Sequence, residues 1–307
     1  MITFIIRRIL ISIPLLWAVL TLTFLGYRIF LPGDPVDIML FGRGTAADRI
    51  RLRHELGLDQ PIAVQYWHYM QGAAHFDFGN SVYSHQSVFS EIVIRYPTTL
   101  KLAAGALLLS LIFGFSGGIL SALFNRSPVG SGITTLAVFG FSIPDFVLGT
   151  LLSLVFGVIL HVLPVAGDGG IKHWILPCSA LALGIAASLT RLVRATMIDV
   201  LNEEYIRTAR AKGVRYPIII VKHVLRNALI PVITVFGLSV AGLLSGAVII
   251  ENVFALQGLG TLALQAVSQR DFPVVEGTTF LFAALLIAAN LIVDVTYAFI
   301  DPRIHYS

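Results

Sequence analysis

The sequence predicts an all-α integral membrane protein, and three observations carry that prediction. Hydrophobic residues fill 56% of the 307 positions and charged residues only 12%, with a mean hydropathy of +0.85. Soluble domains run at about 25% charged, so a soluble fold of this length would lack the polar surface to cover itself; lipid is its natural solvent. Six apolar runs reach the roughly 20 residues that a helix needs to cross a bilayer. They lie at about 9–30, 99–123, 133–160, 175–197, 229–251 and 278–299. Basic residues, lastly, gather in particular connections between these runs.

The first run opens MITFIIRRIL and stays apolar to Arg28, longer than the roughly 7–15-residue core of a secretory signal and with no small-residue cleavage pattern. Residues 1–30 therefore read as a retained N-terminal transmembrane helix. The segment 31–97 reads as a small folded subdomain, with turn punctuation in LPGDPV and GLDQP and helix-like pieces in DRIRLRHELG and AVQYWHYMQGAAHF. Its aromatic residues Tyr66, Trp67, Tyr69, Phe76 and Phe78 form a mini-core or dip into the membrane interface, the first being favoured. Residues 98–300 hold the remaining five spans, and 301–307 form a short tail. The third span is long enough to tilt or break, and Gly140 and Pro144 in FGFSIPDF offer the place. Gly114-x-x-x-Gly118 and Gly242-x-x-x-Gly246 are spacings that let helix backbones approach closely.

Orientation follows from the arginines and lysines, which collect in cytoplasmic loops. Arg7 and Arg8 precede span one, Arg126 lies between spans two and three, and Arg303 follows span six. The connection between spans four and five, with its approaches, holds eight: Arg191, Arg194, Arg207, Arg210, Lys212, Arg215, Lys222 and Arg226. The two shorter loops on the other side carry only Lys172 and Arg270. Both termini are expected in the cytoplasm and 31–97 outside.

The basic connection, 199–228, is patterned as two helices. Tyr205, Ile206, Ala209 and Gly213 recur at three-to-four spacing, and Gly213 suits the position just past a helix end. Pro217 suits the first turn of a second helix, whose apolar face is Ile220, Val221, Val224, Leu225 and Ala228. A basic amphipathic hairpin of this kind can rest on anionic membrane lipid or dock a cytoplasmic protein. Nucleic acid is excluded as a partner by the position between two membrane spans. The chain has four lysines, none in a G-K-[ST] phosphate loop, so an ATPase that powered transport would be a separate subunit docked here.

At these residues the chain resembles the permease subunits of bacterial ABC importers. The stretch TARAKG at 208–213 is similar to the EAA loop in the form found in the oligopeptide/dipeptide/nickel branch. Ala209 and Gly213 hold their places in the pattern, while Arg207 stands for its glutamate and Thr208 for its first alanine. Residues 223–226 stand at I-x-L-P, and a proline comes only at Pro231. LPGDPV, LGLDQP with Gln65 and Tyr66, DFGNS at 77–81, ENVFALQGLG at 251–260, RDFPV at 270–274 and the closing NLIVDVTYAFIDPRI are similar to the same branch in the same order. The resemblance implies six transmembrane helices of the type I ABC importer permease kind, with an extracytoplasmic subdomain after helix 1. It implies a second, related permease, two cytoplasmic ABC ATPase subunits that carry ATP and Mg, and an extracytoplasmic solute-binding protein. It gives Glu204, Tyr205, Arg207, Thr208, Ala209, Arg210 and Gly213 an ATPase-coupling role. The cargo would be di- and oligopeptides, with nickel chelates, glutathione or another small solute as alternatives. No cofactor or metal is expected on this chain, and no catalytic residue.

Several polar residues stand apart. Asn290 and Asp294, four apart in span six, share one helix face as pathway groups or as a structural pair, Asp294 being close enough to the chain's end to meet a cytoplasmic arginine. Glu251, with Asn252, ends span five and faces either the pathway or the outer headgroups. His54, His68, His75 and His85 fall in 31–97 without an H-x-x-x-H pair and read as surface or mini-core residues. Cys178, the single cysteine, excludes an internal disulfide and reads as a small packed hydrophobe. An ion-driven secondary transporter, the rival class, would show inverted repeats and charges near the midplane. Neither stands out here, nor does an arrangement of acids or nucleophiles that would make an intramembrane enzyme.

Overall fold

The computed structural model describes residues 2–30, 36, 40, 45–55 and 57–300. Most of LPGDPV and the whole tail 301–307, with Arg303, lie outside them. The described elements are helices: α1 (Ile2–Phe30), α2 (Ala46–Glu55), α3 (Ile62–Ala74), α4 (Val88–Leu123), α5 (Pro128–Ser142), α6 (Asp145–Leu152), α7 (Ile171–Asn202), α8 (Glu204–Ala211), α9 (Tyr216–Ile218), α10 (Arg226–Val253), α11 (Leu259–Gln269) and α12 (Phe272–Ile300). Two π-helical turns, Ser153–Ile159 and Ile219–Leu225, extend α6 and join α9 to α10.

Four stretches cross a membrane as single helices by length and apolarity: Ile6–Gly26, Val88–Leu123, Ile171–Asn202 and Phe272–Val295. Two bent pairs bring the number to six if each pair is one span. Pro128–Ser142 and Asp145–Ile159 meet at 106°, and Tyr216–Leu229 and Pro231–Gly237 at 44°. The first bend falls where FGFSIPDF was expected to allow it. A residue before proline is pushed out of the helical region. Ile143 accordingly takes φ −94, ψ 126, and Pro144 restarts the chain as α6 at φ −58, ψ 142. The second bend falls at Pro231, which lacks the N–H that a helix interior uses.

The chain divides into two compact units, one of residues 98–257 and 288 onward, the other of 2–97 and 258–287. In the first, α4 packs on α7 along a glycine seam. A Cβ added at Gly114 would lie 2.6 Å from Leu189 Cβ, and one at Gly118 2.5 Å from Val193 Cβ. Gly105 makes the same close approach to Cys178, which is buried as the small apolar residue expected. The other spacing behaves differently. Gly246 lies against Leu181, but a Cβ added at Gly242 would meet nothing within 4 Å, and that glycine lines a cavity instead.

In the second unit, Val88 and Ile92 pack with Leu259, Leu262, Ala266, Val274 and Val275. Helix α4 thus begins well before the apolar run at 99, because its first turns are half apolar and carry Glu91 and Arg95 on the other side. Tyr66 and Tyr69 of α3 close on Phe24 of α1, with ring centroids 5.4 and 5.6 Å apart, and Phe76 and Phe78 close on Phe280 of α12 at 5.6 and 5.3 Å. Tyr66, Tyr69 and Phe78 are partly buried in an aromatic mini-core built with both flanking helices, while Phe76 touches it at 52% exposure and Trp67, 61% exposed, is left out. His54 is exposed and pairs with Asp59, Nδ1 to Oδ2 at 2.7 Å. That hydrogen bond, with the carboxylate's charge, raises the His54 pKa. Its stabilisation is present below the ordinary histidine value and is lost as pH rises through the raised one.

The seam makes a signed prediction. Gly114→Ala and Gly118→Ala each force Cβ atoms into side chains that cannot retreat, costing about 1–3 kcal/mol. Gly132→Ala, at a helical position with open space around it, gains helix propensity of up to about 1 kcal/mol. Thermal denaturation of the detergent-solubilised chain should fall for the first two variants and hold or rise for the third.

Candidate functional site

The segment 203–228 folds as the hairpin its pattern indicates. α8 ends in a Schellman arrangement: Val214 N–H donates to Ala209 O at 3.2 Å and Gly213 N–H to Arg210 O at 3.0 Å. Gly213 takes φ +75, a conformation costly for residues with a Cβ. Pro217 sits in the first turn of α9, where its missing N–H removes nothing. Arg210, in the last turn of α8, complements the negative helix end and lies with its guanidinium 5.9 Å from the Tyr216 ring centroid.

Only one face of α8 is buried. Ile206 is fully covered, and Ala209 is half-buried on the same apolar cluster, which includes Met197, Ile219, Ile220 and Val224. Glu204, Tyr205, Arg207, Thr208 and Arg210 are exposed. Tyr205 and Gly213 therefore do not share the packed face of Ile206 and Ala209 as their spacing indicated. Tyr205 instead accepts a hydrogen bond at 2.9 Å from Asn227 Nδ2, tying α8 to the start of α10. In the second helix Ile220, Val224 and Ala228 face inward as expected, but Val221 is 67% exposed and Ile219 is buried in its place. The cause is the π-helical turn, whose wider winding shifts the face that a 3.6-residue period assigns.

The polar residues singled out in the spans have distinct fates. Glu251 is fully buried and accepts a 2.5 Å hydrogen bond from Thr99 Oγ1. Asp294 is half-buried and Asn290 exposed; of the arginines near the end of span six, Arg303 lies outside the described residues. Among the described residues no group of three or more metal-ligating side chains comes together.

Two features escaped sequence reasoning. The DFGNS and RDFPV stretches meet: Ser81 Oγ donates to Asp271 Oδ2 at 2.5 Å, and Tyr83 Oη to Gln269 O at 2.7 Å. Their joint recurrence in one branch was a signal, but nothing in the letters said that they touch. The other feature is a cavity of about 660 Å³ at the break between α5 and α6, lined also by α7 and α10. Asp145, the first residue of α6, stands in its wall with Gly184 and Gly246 opposite. The aspartate was visible in FGFSIPDF, but only the bend shows that it faces a cavity.

Residues 114–306 match the family model described as "Binding-protein-dependent transport system inner membrane component", and residues 1–103 match that of the N-terminal region of such components. The chain is 43% identical over 307 residues, all of both chains, to the "Glutathione transport system permease protein GsiC" of Escherichia coli strain K12. It is 42% identical over the same full length to the protein of that name from Salmonella typhi. Among solved structures, it is similar to an inward-facing form of the MetNI methionine ABC transporter, with a TM-score of 0.57 at 17% identity, covering 69% of this chain and 96% of the other. An amino acid ABC transporter gives a TM-score of 0.53 at 18% identity, over 68% of this chain and 94% of that one.

The buried Glu251 makes a prediction of its own. Thr99→Val keeps the shape but removes one donor to the carboxylate, a loss of about 1–3 kcal/mol. The denaturation temperature should fall in detergent, and Thr99→Ser should recover most of it.

Proposed function

This chain belongs to the family of inner-membrane components of binding-protein-dependent transport systems, as a permease of the oligopeptide/dipeptide/nickel branch of ABC importers, and we propose that it forms part of a path for small peptides. It is a multi-pass transport component rather than an ATPase, and it works beside ABC ATPase subunits. The observation that carries the peptide reading is the identity of 43% along the whole chain to a glutathione permease. Glutathione is a tripeptide, so the same identity also supports glutathione itself, the alternative to di- and oligopeptides, as the cargo. The apolar, glycine-lined cavity supports the same reading, since varied peptides need room more than a tight fit.

Two ATPase subunits, which hold ATP and Mg, dock on the exposed side of α8. Glu204, Tyr205, Arg207, Thr208 and Arg210 offer them a polar face, while Ile206 and Ala209 anchor that face to the membrane helices. The Schellman turn at Gly213 and the Tyr205–Asn227 bond make the hairpin stiff enough to pass a rigid-body movement into α7 and α10. A second permease completes the path, and a solute-binding protein delivers cargo from outside. Both termini and 199–228 are cytoplasmic and 31–97 is outside. Alternating access then follows as ATP and cargo each favour one state by their differential contacts.

Coupling is tested at the turn. Gly213→Pro locks φ near −65° and deletes the N–H bonded to Arg210 O, so ATP-driven uptake should vanish while the protein remains in the membrane. Full uptake by this variant would remove the coupling role from the hairpin. Tyr205→Phe, which loses a single hydrogen bond of about 0.5–1.5 kcal/mol, should reduce uptake only severalfold.

Cargo is tested by uptake in a strain lacking only this gene, supplied with labelled dipeptides, tripeptides, glutathione, or nickel with a chelator. Lost dipeptide and tripeptide uptake with nickel intact is expected, and loss of glutathione uptake alone would favour the glutathione alternative. The reverse pattern would overturn the peptide reading and leave the hairpin's role standing.

A further inference from the structure

The cavity at the α5–α6 break is largely apolar and holds one charged side chain, Asp145. Asp145 places a carboxylate in its wall at membrane depth, where an ionisable group marks a ligand path or a partner by default. Among the described residues no side-chain or backbone donor meets that carboxylate. A Cβ added at Gly184 would lie 3.0 Å from Oδ1, and one at Gly246 3.6 Å from Oδ2. Glycine on both α7 and α10 therefore leaves the carboxylate uncovered on the cavity side. Leu181 and Ile249 form apolar wall, and the lining includes no lysine, arginine or histidine.

Two of the three serine hydroxyls in the lining tell the same way, while the third, Ser188, can donate or accept. Ser142 Oγ donates to Val138 O at 2.8 Å and Ser239 Oγ to Val235 O at 2.9 Å. Their protons are spent within their own helices, so they turn only lone pairs to the cavity. The break adds groups of both kinds, the last carbonyls of α5 and the first N–H groups of α6, at Asp145 and Phe146, so the backbone there favours neither sign of ligand and the carboxylate decides it. A largely apolar concavity with one carboxylate in its wall suits a ligand that carries a positive charge on an otherwise variable body.

We propose that Asp145 is a binding residue for the protonated amino group of the cargo in transit. An alkylammonium brings three donors and one positive charge, which the carboxylate and the serine oxygens can share. The walls around them are apolar and tolerate any side chain that follows. Asp145 would thus select for a free amino terminus while leaving the rest of the peptide unread. The inference rests on the reading of this chain as a peptide permease, but the charge preference of the cavity can be measured without cargo.

The experiment uses the purified complex in liposomes, with Cys178→Ala as background and Ser142→Cys as the only reactive thiol of this chain. Cationic and anionic methanethiosulfonates of similar size are reacted with it, and the ratio of their rates is taken with and without Asp145→Asn. A cleft of one sign raises counter-ion encounter by about tenfold or more, so the ratio should fall about tenfold in the Asp145→Asn variant. An unchanged ratio overturns the proposal, as it would if the carboxyl were neutral. In the same liposomes without the cysteine changes, uptake of a tripeptide should drop at least severalfold for Asp145→Asn and be largely retained for Asp145→Glu. Equal uptake by both variants overturns the proposal. So does failure of Asp145→Asn to copurify with the second permease and the ATPase subunits, which would make the residue a contact to a partner chain. Wild-type complex that carries no peptide would instead defeat the peptide reading alone, whatever the rate ratio.

Discussion

Hydrocarbon offers no hydrogen bonds, so backbone at membrane depth must satisfy itself within helices or else line a polar or water-filled space. The rest of this structure follows from that constraint. It explains why the described elements are helices and why large apolar faces stay exposed, as at Leu22, Leu136 and Phe139. It also fits the sharper of the two bends, at Ile143 and Pro144, where the irregular backbone lines a cavity. With no hydrophobic drive between helices in lipid, close packing must hold them together. The seam of Gly105, Gly114 and Gly118 against Cys178, Leu189 and Val193 supplies it.

On that packed frame, irregular backbone falls at the hairpin proposed to dock an ATPase and beside the cavity proposed to bind cargo. The hairpin at 203–228 stands on Ile206, Ile220 and Val224, which are buried, and shows its polar side outward. A π-helical turn carries it into α10, so the wider winding sits between the proposed docking face and the span that lines the cavity. α7 links the same two places, with Leu189, Val193 and Met197 under the hairpin and Gly184 beside Asp145. Docking face and cavity are thus two ends of the same two helices.

Much of this was legible in the letters because it rests on local rules. Apolar length gave the spans, Gly213 gave a helix end and Pro217 a helix start, and Pro144 gave the break. What was not legible depends on which side chains meet. A 3.6-residue period turns Val221 inward, and the π-helical turn changes that period. Glu251 looked like a group at the membrane edge, yet Thr99, far away in sequence, takes it into the interior. Gly242 shares its spacing with the packed glycine pair of α4 but faces empty space, because spacing says that close approach is possible and not that a neighbour is present. Asp145 was only a polar letter after a proline until the bend gave it a direction.

The proposed link between the hairpin and an ATPase is tested most directly by photocrosslinking. A benzophenone amino acid at position 207, on the exposed side of α8, is irradiated in the assembled membrane complex, with position 83 as the control. Docking predicts a crosslink from position 207 to the ATP-binding subunit that changes in yield when ATP is bound, and none from position 83. Crosslinks from position 207 to lipid alone, with the assembled complex intact, would contradict it and leave the hairpin as a membrane-surface element.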